Sequence, residues 1–184
     1  RLVGSEMCIR DSSLKTRNLQ LQDARRQLAE QATIDEMTEL RNRRGVNIII
    51  NDELARMKRM QLPIAVIALD VDHFKTYNDN YGHPARDQVL QQLANVMLEM
   101  TSRAGEFAAR MGGEEFVLFY PTVNRTAALE LAEELRMKVL GLKIPHEKSL
   151  AAEHVTVSIG VISCVPEWEL EFDTLLKAAD DALY

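Results

Sequence analysis

The sequence predicts an α+β domain, one sheet containing antiparallel strands with helices packed mainly on one face. Three observations predict it. Ile64-Ala65-Val66-Ile67-Ala68-Leu69 is continuously apolar, as in a strand buried on both faces and central in its sheet. Two short strands at 107–110 and 116–120 flank Met111-Gly112-Gly113-Glu114, and a Gly-Gly pair suits the positive-φ positions of a hairpin turn. The elements run helix–strand–helix–strand–strand–helix–strand–helix, which a single antiparallel-containing sheet accommodates.

Composition sets the frame. The 184 residues suffice for one domain and an appendage, and 46% hydrophobic with 27% charged residues is ordinary globular usage. Acids outnumber bases 28 to 22, for a net charge of −6, which argues against nucleic acid as a partner. An acidic chain still binds one phosphorylated ligand when cations bridge the two. Cys8 and Cys164 form no CxxC pair, and the four histidines form no HExxH pattern. No apolar run spans a bilayer and no signal peptide is recognisable, so the expected location is cytoplasmic, with the parent protein open to a membrane tether.

Taken in order, residues 1–12 show no periodicity and are expected to be a non-native or disordered leader. Over 13–32, Leu14, Leu21 and Leu28 recur every seven residues, predicting a linker helix that is either solvated or one seam of a short coiled coil. Asn42-Arg43-Arg44 opens a helix to about residue 60, with Val46, Ile49, Ile50, Leu54 and Met57 on one face. After the apolar strand and a helical turn at 74–78, Tyr81-Gly82-His83-Pro84 is a turn. Pro84 there starts a helix to about residue 101 that buries Val89, Leu93, Val96, Met97 and Met100. The hairpin follows, then a helix over 124–142, a strand over 155–163 and a final helix over 172–184.

Chemistry gathers at two places. Asp70-Val71-Asp72 ends the apolar strand, and Glu114-Glu115 adjoins the two glycines. A strand-end acid is by itself compatible with a solvated or turn-capping role, and Glu-Glu beside a turn is common. If the hairpin pairs beside the apolar strand, however, Asp70 and Glu114 converge. Carboxylates, a main-chain carbonyl and water are hard oxygen ligands, suited to Mg²⁺ or Mn²⁺. Two such ions about 3.5–4 Å apart activate an attacking oxygen and stabilise phosphoryl displacement.

Gly112-Gly113-Glu114-Glu115-Phe116 resembles the GGDEF motif in its GGEEF form. The resemblance runs in order through Asp35-Glu36-Met37-Thr38-Glu39-Leu40-Arg41-Asn42-Arg43-Arg44, Asp70-Val71-Asp72-His73-Phe74-Lys75 and Asn78-Asp79-Asn80-Tyr81-Gly82-His83. It ends in Val155-Thr156-Val157-Ser158-Ile159-Gly160 and Ala179-Asp180-Asp181-Ala182-Leu183-Tyr184, covering about residues 33–184. The chain is similar to the GGDEF-domain diguanylate cyclases. That resemblance implies a palm-like fold, shared with nucleotidyl cyclases, and condensation of two GTP into cyclic di-GMP with release of two pyrophosphates at a homodimer interface.

By the same resemblance Asp70, the Val71 carbonyl and Glu114 are metal ligands for two Mg²⁺ (or Mn²⁺) per site. Glu114 accepts the 3′-hydroxyl proton with Glu115 as its neighbour, and Lys75 offsets phosphate charge. Amides near His73 and Phe74 cradle phosphate oxygens, Asn78 and Asp87 contact guanine, and His83 is a weaker substrate contact. A homodimer formed through the domain and the linker helix, and an upstream sensory domain in the parent protein, are the implied partners. A non-catalytic GGDEF-like module binding GTP or a partner is the alternative.

Four departures from the family pattern bear on this. Arg86 stands where glycine usually precedes the guanine-binding aspartate, and either pairs with Asp87 or points to solvent. Glu39 replaces a usual glycine. Arg103-Ala104-Gly105-Glu106 takes the place of the inhibitory RxxD, so product inhibition through Arg103 and Glu106 is expected to be degenerate. The family continues beyond Tyr184 with a lysine and an arginine that grip phosphate, and the expectation is a C-terminal helix cut short.

Overall fold

The computed structural model describes residues 32–183. The leader expected over 1–12 and the linker helix expected over 13–32 lie outside the described residues, apart from Ala32. The elements are β1 (Arg41–Asn42), α1 (Arg43–Met60), β2 (Ile64–Val71), α2 (Phe74–Met100), β3 (Phe107–Gly112), β4 (Glu115–Pro121), α3 (Arg125–Gly141), β5 (Val157–Cys164) and α4 (Phe172–Asp181). Five strands form one mixed sheet in the order β1-β3-β4-β2-β5. Pairing is antiparallel except for β1, which runs parallel to β3. The two-residue β1 is too short to carry a period and was not legible in the sequence.

β2 is buried on both faces, as its unbroken apolar run requires. Alternation splits it: Ala65, Ile67, Leu69 and Val71 join one core with Phe74, Val89, Leu93 and Leu135 of α2 and α3. Ile64, Val66 and Ala68 join a second core with Val46 and Leu54 of α1 and Phe172 and Leu175 of α4. Two helices therefore cover each face, which corrects the expectation of helices mainly on one face. A strand apolar at every position needs a cover on both sides, and the two terminal helices supply the second. Truncating a large side chain such as Ile67 or Leu69 would cost about 2–5 kcal/mol.

Helix starts follow local chemistry. The Asn42 side chain accepts from the Gly45 N–H at 2.9 Å, and Asn124 accepts from the Ala127 N–H at 3.0 Å, capping α1 and α3. Gly45 is required by packing: a Cβ there would lie 2.1 Å from the Thr33 carbonyl oxygen. α2 breaks at Gly82 (φ 78, ψ 175), and Pro84, lacking an N–H, sits at the start of its second segment. Leu62 and Pro63 carry the chain from α1 to β2.

Before α1, Asp35 organises a tight turn, its carboxylate accepting from the Thr38 N–H at 3.0 Å and the Thr38 hydroxyl at 2.7 Å. Glu39 in that turn adopts φ 59, a left-handed conformation that glycine takes without steric cost.

Candidate functional site

The antiparallel register pairs Ile64 with Pro121 through Leu69 with Phe116, so the β3–β4 turn overhangs the end of β2. Gly112 pairs with Glu115, leaving Gly113 and Glu114 as the two turn residues. Only Gly113 takes positive φ, at 51°, which corrects the expectation of a Gly-Gly turn. Met111 forms a bulge, with Arg110 opposite Phe116 and Gly112 opposite Glu115.

Strand alternation puts Asp70 on the face of Ile64, Val66 and Ala68, and Glu115 on the matching face of Val117 and Phe119. Together with Arg43 and Asp180 they line a cleft of about 200 Å³. Glu114, half-buried, precedes Glu115 in the turn. The crowding shows in Asp70, whose carboxyl is pushed up to about 6. Burial is the largest cause, followed by the charges of Glu114, Glu115, Asp72 and Asp180. Asp180 is also raised, by burial and then by Asp181.

Asp72 has a different task. It accepts from the Thr156 hydroxyl at 2.6 Å and the Ser158 hydroxyl at 2.7 Å, and its N–H donates to the Thr156 carbonyl at 3.0 Å. These bonds tie the end of β2 to β5 and leave Asp70 to the cleft. Val71 is buried and its carbonyl belongs to the same strand end.

The chain then turns sharply. His73 is left-handed (φ 55) at the start of α2, and no side chain caps the helix there. The first-turn amides around Phe74 are thus without a side-chain acceptor, and Lys75 is exposed beside them. An uncapped helix N-terminus flanked by a cation favours an anion. One turn on, the Asn78 Oδ1 is buried with no hydrogen-bond partner. An acceptor left without a donor in this way costs about 1–3 kcal/mol.

Beyond the kink, His83 is exposed and Asp87 half-buried. The question left open by the sequence is answered at Arg86: its Nε lies 2.9 Å and its Nη2 2.8 Å from the Asp87 Oδ1. Arg103 and Glu106 are not brought to the cleft. They sit before β3, at the far end of that strand from Glu114, and the Glu106 carboxylate accepts from the Arg103 N–H at 3.0 Å.

Sequence reasoning missed Arg110, Arg43, Asp180 and His146. Arg110 donates from Nε and Nη2 to the Gly113 carbonyl at 3.0 and 2.8 Å, and from Nη1 to Asp35 at 3.2 Å. It thereby ties the hairpin tip to the turn before α1. Burial works against the Asp35 charge, but the Thr38 hydrogen bonds and Arg110 outweigh it and hold the carboxyl below its ordinary value. Asp35 and Arg110 are 75 residues apart, so no local signal announces the pair.

Among the described residues, no three His, Cys, Asp or Glu side chains are gathered so as to hold a metal ion by themselves. The smaller donor set of Asp70, Glu114 and the Val71 carbonyl fits magnesium, which takes one or two carboxylates and completes its shell with water and nucleotide phosphates. A divalent cation would also relieve the repulsion that raises Asp70.

A mixed sheet covered on both faces, with acids at one strand end beside an uncapped helix, defines an α+β domain. The family described as diguanylate cyclase, GGDEF domain, matches residues 32–184, and the chain belongs to it. The response regulator PleD of Caulobacter vibrioides is 35% identical over 157 residues, 84% of this chain and 34% of PleD. The diguanylate cyclase DosC of Escherichia coli K12 is 29% identical over 151 residues, 82% of this chain and 32% of DosC. The chain thus spans about a third of the length of these relatives. Among solved structures, the coiled coil and GGDEF domain of DgcB from Caulobacter crescentus, in complex with c-di-GMP, superposes with a TM-score of 0.73. It is 28% identical, and the match covers 97% of this chain and 92% of that one.

Proposed function

We propose that this domain is a diguanylate cyclase that condenses two GTP into cyclic di-GMP and two pyrophosphates, working as a homodimer with one GTP in each half-site. The observation that carries the reading is the acidic cleft that Asp70 and Glu115 line beside the uncapped start of α2. The 3′-oxygen of each GTP attacks the α-phosphorus of the other. The bond from that phosphorus to the bridging oxygen breaks, pyrophosphate leaves, and Glu114 takes the hydroxyl proton with Glu115 alongside. Lys75 and the amides of His73 and Phe74 hold the triphosphate as charge moves to the leaving group. Asn78 and Asp87 read guanine, the carboxylate accepting from N1–H and the exocyclic amine. His83 makes a lesser contact.

Two Mg²⁺ or Mn²⁺ ions, held by Asp70, Glu114 and the Val71 carbonyl, would neutralise the triphosphate and acidify the attacking hydroxyl. In this reading 33–184 is the catalytic domain and 13–32 a linker helix through which an upstream sensory domain sets the approach of two subunits. The DgcB structure, which includes a coiled coil with the same kind of domain, supports that linker. The substrate and the sparse cysteines favour the cytoplasm.

The test is incubation of the full chain with GTP and Mg²⁺, with cyclic di-GMP and pyrophosphate expected in a ratio of one to two. A second reading, a GTP-binding module without turnover, is favoured by Arg86 occupying Asp87. Absence of product with Mg²⁺-dependent GTP binding intact would select it.

A further inference from the structure

His146 has 0% exposure, yet it belongs to the connection between α3 and β5. That connection is folded back on itself: the His146 N–H donates to the Glu153 carbonyl at 2.8 Å, the Val155 N–H to the Ile144 carbonyl at 2.8 Å, and Pro145 bridges His154. It lies against the first half of α2. The imidazole stands edge-on to the Tyr77 ring, with centroids 5.1 Å apart at 89°. The Glu147 N–H donates to the Tyr81 hydroxyl at 3.1 Å, and Tyr81 in turn packs on Tyr77 at 4.6 Å.

The polar contact of the ring is the informative one. His146 Nε2 lies 3.3 Å from the carbonyl oxygen of His73, the residue held left-handed at the start of α2. A carbonyl only accepts, so this bond requires the proton on Nε2 and leaves Nδ1 as an acceptor. Nδ1 is buried and has no partner. An apolar side chain of similar size would fill the space without an orphaned acceptor, so packing alone gives no reason for an imidazole here. What the imidazole adds is a second donor to the His73 carbonyl, which also accepts the first helical bond of α2, from the Tyr77 N–H at 3.0 Å. Phe74, Lys75 and Asn78 follow directly.

We propose that His146 is a positioning residue: its Nε2–H pins the His73 carbonyl and so fixes the turn that presents Lys75, the Phe74 amide and Asn78 to a nucleoside triphosphate. The inference rests on reading that turn as the phosphate-binding segment, but its structural half is testable without nucleotide.

The experiment compares the full chain with His146→Leu and His146→Gln, whose amide nitrogen takes the place of Nε2. Amide hydrogen exchange is followed in 74–78, and binding is titrated with Mg²⁺ and a GTP analogue carrying a methylene between its α and β phosphorus atoms. Expected for His146→Leu is faster exchange confined to 74–78 and affinity about threefold to tenfold weaker, the loss of one hydrogen bond. His146→Gln restores both to within about twofold. If His146→Leu does not fold, His146→Asn, whose shorter amide does not reach the carbonyl, takes its place. Unchanged exchange in 74–78 overturns the proposal, as does faster exchange with unchanged affinity. If the unsubstituted protein binds no analogue while exchange responds as expected, the pin on the turn stands and the nucleotide reading of the site is what fails.

Discussion

Arg86 lies on Asp87, with its Nε and Nη2 both within 2.9 Å of a single carboxylate oxygen. Two adjacent residues on one helix thus satisfy each other at the position where the proposed function needs the carboxylate for guanine. The two side chains are 30% and 40% exposed, so the pair is worth at most about 1 kcal/mol. Arg86→Ala is expected to tighten GTP binding by up to about fivefold and to leave ATP binding unchanged. Titration with a non-reacting GTP analogue and Mg²⁺ measures this, and unchanged affinity would mean that Arg86 swings away without cost.

Asp70 gives a pH dependence in metal-free protein. Its carboxyl is raised from 3.8 to about 6 by burial and then by the neighbouring acids. Between those values the folded state holds a proton that the unfolded chain has released, so stability falls as pH rises through the window and stays lower above it. Asp70→Asn in chelator is therefore expected to melt higher than the unsubstituted domain at pH 8 and equally at pH 3.5. The gain is about 1 kcal/mol after allowance for solvent screening, or about 3 °C. A thermal melt at the two pH values decides it, and the same substitution should abolish cyclic di-GMP formation.

Arg110 joins the Gly113 carbonyl to Asp35. Arg110→Met leaves the Asp35 carboxylate with only its Thr38 hydrogen bonds and the hairpin tip without its fork, at a cost of about 2–4 kcal/mol. Because Asp35 is held below 3.8 in the folded state, the difference from the unsubstituted protein should be widest at neutral pH. It should narrow as pH falls below 3.8. Urea unfolding across pH measures the gap; a pH-independent gap would remove Asp35 from the account.

Glu39→Gly is expected to stabilise the domain by about 0.5–1 kcal/mol. It relieves a left-handed φ of 59°, and the greater freedom of glycine in the unfolded chain offsets part of the gain. Glu39→Ala relieves nothing and serves as the control in a urea midpoint comparison.

Gly160→Ala should do the opposite. A Cβ there would lie 1.9 Å from the Ala179 carbonyl oxygen, so α4 must move off β5. A loss of about 1–3 kcal/mol is expected in denaturant. Displacing α4 also shifts Asp180, which should lower GTP turnover further than the lost stability explains.

Several of these relationships were partly visible in one dimension. The apolar run of β2, the caps at Asn42 and Asn124 and the break at Gly82-His83-Pro84 are set by residues within one turn of each other. Asp70 and Glu114 were legible as a pair only on the condition that β4 joins β2, which the register meets. The second covered face was not legible, because a β2 residue exposed to α4 looks no different in sequence from one exposed to α2. Glu115 is expected only as the neighbour of Glu114, and alternation along β4 places it in the cleft.

By itself, then, the sequence determined the kinds and order of the elements other than β1, the family, and the residue types from which the proposed site is built. Those depend on side-chain type and short-range spacing. Only the tertiary structure decided that Arg86 engages Asp87, that Arg110 reaches Asp35 75 residues away, and that His146 pins His73 from 73 residues away. It also decided that Asp70 sits among four other acids. The physical reason is that a side chain's partner, rotamer and proton affinity are fixed by what packing brings within a few ångströms, and chain separation does not encode that distance.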